Sequence, residues 1–175
     1  MRKLKNEELG RVDADTYKSI AKKPFCIMLD NVRSMNNVGS AFRTADAFLA
    51  EQIILTGITA QPPHREIHKT ALGATESVDW VYYATTAEAV KALKEDGWVI
   101  VAIEQADKSM ALDAFTPDPE KKYCFVFGNE VFGVDDAIIP QVDSVIEIPQ
   151  FGTKHSLNIS VTIGIVSWHF IINSQ

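Results

Sequence analysis

Apolar runs separated by polar, glycine- or proline-marked stretches divide the chain into short units. Phe25 to Leu29 is continuously apolar, the pattern of a strand buried on both faces of a parallel sheet. Ile53 to Leu55, Val78 to Tyr83, Val99 to Ile103, Tyr123 to Phe127 and Val145 to Ile148 also read as strands, with Gly128 and Pro149 closing the last two. Ala41 to Leu49 and Ala87 to Lys94 place apolar residues at helical spacing instead, and Arg65 to Leu72 predicts a short helix after the Pro62-Pro63 break. Asp30 to Gly39, rich in Asn, reads as a loop. Strands alternating with helices predict an α/β fold with a mostly parallel sheet.

The C-terminal segment carries two periods at once. Leu157, Ile159, Val161, Ile163 and Ile165 alternate as in a strand, while Ser160, Gly164 and Ser167 would form a small-residue seam on a helix. The apolar run continues to Ile172, longer than a usual strand, so length predicts a helix. The seam would let another backbone approach closely, and an apolar chain end of this kind predicts a homodimer.

Residues 1–23 are polar and charged and are expected to form an arm with a short helix, leaving 24–175 as one domain. The N-terminal MRKLKNEELGR has no apolar core behind it and is not expected to be a signal peptide. No stretch reaches the ~20 apolar residues of a membrane span. The two cysteines, Cys26 and Cys124, each lie in an apolar run, which predicts a cytoplasmic protein without a disulfide framework. His64 and His68 are four apart but lack a third ligand, so no metal is expected.

Charge is unevenly placed. Residues 1–70 hold 11 Lys and Arg against 8 Asp and Glu, whereas the rest of the chain is strongly acidic and the net charge is −6. Polyanion binding therefore has to come from a local patch, and the run His64-Arg65-Glu66-Ile67-His68-Lys69 is its candidate, with Arg65 and Lys69 as the contacts.

Several motifs fail. Gly128 to Gly133 has the spacing of half a P-loop, but Val134 stands where Lys should be, and there is neither GxGxxG after a strand nor GxSxG. Three segments survive. Asn37 and Gly39 fall at an expected strand-to-helix junction, where free N–H groups favour an anion, and Arg43 would follow on the first turn or two of the helix. Phe127-Gly128-Asn129-Glu130 places an acid at the C-terminal end of a strand, where open α/β sheets bind ligands. Ser156 and Asn158 enter an otherwise apolar segment, with Ser156 a candidate helix N-cap.

Together, Asn37-Val38-Gly39-Ser40-Ala41-Phe42-Arg43-Thr44, Phe125 to Gly133, and Ile148-Pro149-Gln150-Phe151-Gly152 through Ser156 to Val161 resemble the three motifs of the SpoU (TrmH-type) RNA ribose 2′-O-methyltransferases of the SPOUT superfamily. Lys69 to Ala74 resembles a further stretch of these enzymes, and the resemblance runs from about Phe25 to Phe170. It implies an α/β, Rossmann-like, mostly parallel sheet with a C-terminal deep trefoil knot. It also implies S-adenosylmethionine as cofactor, tRNA or rRNA as partner, and a homodimer that completes the site. The cofactor would lie near Ile103, Gly128, Ile148 and Leu157; Arg43, Asn37, Glu130, Ser156 and Asn158 would surround the reacting ribose. Val131-Phe132 departs from the family, which often has a smaller residue after the acid. With no room for an appended RNA-binding domain, substrate selection is expected from this domain and the 1–23 arm. The alternatives are a catalytically idle RNA-binding module of the same fold and an α/β enzyme acting on a small nucleotide.

Overall fold

The computed structural model describes residues 1–174, so the last residue of the expected 24–175 domain lies outside them. Seven strands form one sheet: β1 (Phe25–Asp30), β2 (Ile53–Thr56), β3 (Trp80–Tyr83), β4 (Trp98–Ile103), β5 (Met110–Ala111), β6 (Lys122–Phe127) and β7 (Ser144–Glu147). Their order is β3-β2-β1-β6-β4-β7-β5, and every pairing is parallel. Six α-helices accompany them: α1 (Ala14–Ser19), α2 (Met35–Ala47), α3 (Arg65–Ala71), α4 (Ala74–Ser77), α5 (Thr86–Glu95) and α6 (Ile159–Asn173).

The apolar runs are continuous because both sheet faces are covered. In β1, Phe25, Ile27 and Leu29 join the core shared with Phe42 of α2 and Ile163, Val166 and Phe170 of α6. Cys26 and Met28 point the other way, into a core with Ala89, Val90 and Leu93 of α5. The Phe170 ring sits 5.0 Å from Phe25 and 5.7 Å from Phe125, which docks α6 on the sheet. Cys26 and Cys124 are register partners in β1 and β6, both free; burial pushes the Cys26 thiol up, so it is held unreactive. Tyr17 of α1 reaches the same core as Phe42, its hydroxyl donating to the Ala45 carbonyl at 3.3 Å.

Four expectations are corrected. Residues 35–39 are helical, not loop, because Ser34 caps α2 by accepting from the Asn37 amide at 3.3 Å. Arg43 is thereby the ninth residue of the helix, in its third turn. The N-cap of α6 is Asn158 and not Ser156: the Asn158 side chain accepts from the Ser160 amide at 2.8 Å and its hydroxyl at 2.6 Å. Ile148 lies beyond the end of β7, and the two-residue β5 and the single-turn α4 carried no readable period.

Candidate active site

The C-terminal ends of β4 and β6, the chain after β7 and the approach to α6 enclose a cleft of about 530 Å³. Its walls bring together seven residues nominated from the sequence: Ile103, Gly128, Ile148 and Leu157, with Glu130, Ser156 and Asn158. Two carboxylates, Glu104 and Glu130, are among the lining residues, and no Lys or Arg is.

The segment after β6 forms one wall and is pinned at many points. A Cβ on Gly128 would overlap the backbone of Gly133 and Val134, so only glycine lets the segment fold back on itself. Asn129 and Gly133 exchange backbone hydrogen bonds of 2.8 and 2.9 Å. The Asn129 side chain accepts from the Val131 and Phe132 amides at 2.9 and 3.2 Å and donates to the Asn31 carbonyl at 2.7 Å. Glu104 accepts from the Val134 amide at 3.0 Å. Asn129 and Glu104 thus shape the wall, and sequence reasoning passed over both. Asn129 had a readable signal as an Asn in a tight turn; the partner of Glu104 is 30 residues away.

The N-terminus of α2 already holds an anion. The Glu130 carboxylate accepts from the Arg33 and Ser34 amides and from Asn37 Nδ2, each at 2.9 Å. Asn37 and Gly39 therefore offer no free anion site there. Burial pushes the Glu130 carboxyl up, but the Arg33 amide, the Asn37 side chain and the Ser34 amide outweigh it and hold it below the usual carboxylate range. Gly39 has a packing role: a Cβ there would overlap the Ile67 carbonyl and Thr70 hydroxyl oxygens of α3.

Arg43 does not join the cleft of its own chain. It is exposed on α2, makes no hydrogen bond or ion pair among the described residues, and is absent from the cleft wall. At about 100° per residue, its position lies roughly 120° around the helix from Asn37. Asn158 Nδ2 and the Ser156 hydroxyl likewise bond to nothing among the described residues, leaving donors free at the cleft. Arg65 and Lys69 are exposed on α3, away from the cleft wall, and Lys69 is paired with Glu66 at 2.8 Å. Among the described residues no cluster of His, Cys, Asp and Glu could hold a metal ion, and no helix is long and apolar enough to cross a membrane.

Residues 24–168 match the family model described as the SpoU rRNA methylase family. The 23S rRNA (guanosine-2′-O-)-methyltransferase RlmB of Neisseria meningitidis is 29% identical over 152 residues, covering 87% of this chain and 60% of that protein. RlmB of Escherichia coli is 29% identical over 144 residues, covering 82% of this chain and 58% of that protein. The chain therefore spans about 60% of the length of these relatives. The AdoMet-bound rRNA methyltransferase of Sinorhizobium meliloti superposes with a TM-score of 0.78 at 28% identity, over 87% of this chain and 58% of that one. The TrmH/SpoU tRNA modifying enzyme of A. aeolicus, at 24% identity, shares the fold with a TM-score of 0.78 over 91% of this chain and 79% of its own.

Proposed function

The chain belongs to the SpoU rRNA methylase family, and from that membership we propose that it transfers a methyl group from S-adenosylmethionine to a ribose 2′-hydroxyl of tRNA or rRNA. The observation that carries this reading is the convergence of the second and third motifs on one cleft, with the first tied to it through the Asn37–Glu130 bond.

The cleft fits the cofactor. Its volume is that of a small-molecule site. Ile103, Gly128, Ile148 and Leu157 would hold the ligand against apolar wall and backbone, and a wall with carboxylates and no Lys or Arg suits a sulfonium cation. When bound, S-adenosylmethionine supplies a methyl group already activated by its positive sulfur. The chain has to align a ribose and stabilise charge on its 2′-oxygen. Ser156 and Asn158 present the free donors that orient the ribose. Glu130, ionised and saturated by three donors, is a positioning group for α2 and a poor base. Arg43 grips the phosphate beside the reacting ribose and stabilises the developing alkoxide, since a guanidinium holds its own proton.

Arg43 stands outside its own cleft and so serves the cleft of a second copy in a homodimer. Support comes from α6, where Val161, Ile165, Trp168 and Ile172, between 38% and 55% exposed, form an apolar stripe at helical spacing. What supports a deep trefoil knot is β7 lying between β4 and β5, with Gln105 Nε2, in the chain after β4, donating to the His155 carbonyl, in the chain after β7, at 2.9 Å. In this reading the catalytic domain spans 24–175, the 1–23 arm, Arg65 and Lys69 contribute to RNA binding, and the protein works in the cytoplasm.

The test is incubation with labelled cofactor and, separately, tRNA and rRNA from cells lacking the protein, followed by nucleoside mass spectrometry. A 2′-O-methylated nucleoside in one fraction is expected; label in neither would overturn the proposal.

A further inference from the structure

The cleft wall carries no Lys or Arg of its own, and in the proposed homodimer the cation that meets the phosphate comes from the second copy. Both of its carboxylates are consumed by backbone amides, so neither can be exchanged for a contact to the substrate without opening the wall. What the wall itself can offer the substrate is therefore an interaction indifferent to charge. Phe132 is 84% exposed and Val131 66% exposed, yet both lie on the most heavily pinned segment of the site. Exposed apolar side chains on a loose loop are unremarkable. Here Asn129 fixes the amides of both residues, and Gly128 and Gly133 close the segment beneath them. Its ring is held out at the cleft mouth by a backbone with little freedom to fold it away.

We propose that Phe132 is the stacking platform for the base of the nucleotide whose ribose is methylated, a role that rests on the proposed methyl transfer to RNA. Phe132 shares the cleft wall with Ser156 and Asn158, whose free donors orient the ribose. Stacking accepts any base, because every base has a π-face, and an aromatic ring holds it without a charge. Phe132 is thus a substrate-positioning residue that supplies the part of RNA affinity that salt does not screen.

The experiment uses the full chain and whichever RNA fraction, tRNA or rRNA, accepts label from the wild type. Phe132→Ala should raise the KM for that RNA roughly tenfold or more, the range seen when one base loses its aromatic partner. The loss falls on KM and not on kcat, because the contact is made equally in the ground and transition states. Phe132→Tyr should restore the KM, and Phe132→Leu, which keeps apolar bulk without a π-face, should not. Cofactor affinity by calorimetry and the salt slope of RNA binding should stay at wild-type values. The inference is overturned if Leu serves as well as Phe, if Phe132→Ala leaves the KM unchanged, or if cofactor affinity falls as far as RNA affinity. A wild type that labels no RNA counts against the proposed activity and takes this role with it; a labelling wild type with an indifferent Phe132→Ala counts against this role alone.

Discussion

The wall after β6 and the outer face of α2 and α3 answer the same need for charge in opposite ways. In the wall each carboxylate is met: Glu130 by three donors and Glu104 by two backbone amides. On the helical face Arg43 and Arg65 meet nothing among the described residues, and Lys69 meets only a surface Glu66. A fully satisfied site is organised before any ligand arrives, whereas unpaired cations on a helix are solvated and free to meet one. The wall is satisfied within the chain, and the cations of the face are left to solvent.

The sharpest way to break this contrast is to remove the face's central charge. Arg43→Ala should slow methyl transfer about a hundredfold, on the order of 3 kcal/mol, while calorimetry shows cofactor binding unchanged. Arg43→Lys should not rescue, because a bidentate fork is lost. Mixing Arg43→Ala with Asn158→Ala protomers should return about a quarter of wild-type rate if each helix serves its neighbour's cleft, as two-fold symmetry allows. No recovery on mixing would put Arg43 and Asn158 in the same chain's site.

Damage to the wall should read differently. Gly128→Ala forces a Cβ into the Gly133–Val134 backbone and should cost about 1–3 kcal/mol in stability, seen as a lower Tm. Cofactor affinity should fall with it, and Arg43 cannot compensate. Wild-type cofactor binding in this variant would mean that the wall is not preformed.

Charge reversal on α3 is expected to be milder. Arg65→Glu should flatten the salt slope of RNA binding by about 0.9, one duplex phosphate contact. Lys69→Glu should add less than that, since its ammonium is shared with Glu66 on an exposed surface. A double variant with the wild-type slope would remove α3 from the RNA path.

The smallest effect is on stability against pH. The Glu130 carboxyl is held below its unfolded value, so its contribution is fully present above about pH 4.3. That contribution is lost as pH falls through the lower folded value. The Tm gap between wild type and Glu130→Gln should be constant near neutrality and close in acid. A gap that widened in acid would reverse the sign.

The parallel sheet could be read from the sequence because its strands are short apolar runs whose burial on both faces is a local pattern. One part of the cleft was legible for the same reason, since Gly128 and Glu130 mark the end of such a run, whereas Ile103, Ile148 and Leu157 came only through the family resemblance. The start of α2 was not. Its Asn-rich first turn is stabilised by Glu130, 93 to 97 residues away, and its Gly39 serves the approach of α3. Local propensity favours a loop there, and tertiary contacts override it. Ser156 as the cap failed by two residues because the helix starts at Ile159, where Asn158 accepts from the Ser160 amide.

Glu130 bridges the cleft wall and the first turn of α2, and Arg43 sits six residues further along that helix, about 9 Å down its axis. A ligand that moved the wall would therefore also move the helix that carries the arginine. Occupancy of the cleft and grip on the nucleic acid would then be linked quantities, each changing the other's equilibrium by one common factor. RNA should tighten cofactor binding as much as cofactor tightens RNA binding. That equality, measured by titrating each ligand with and without the other, should disappear when Glu130 is replaced by Ala and the bridge is cut.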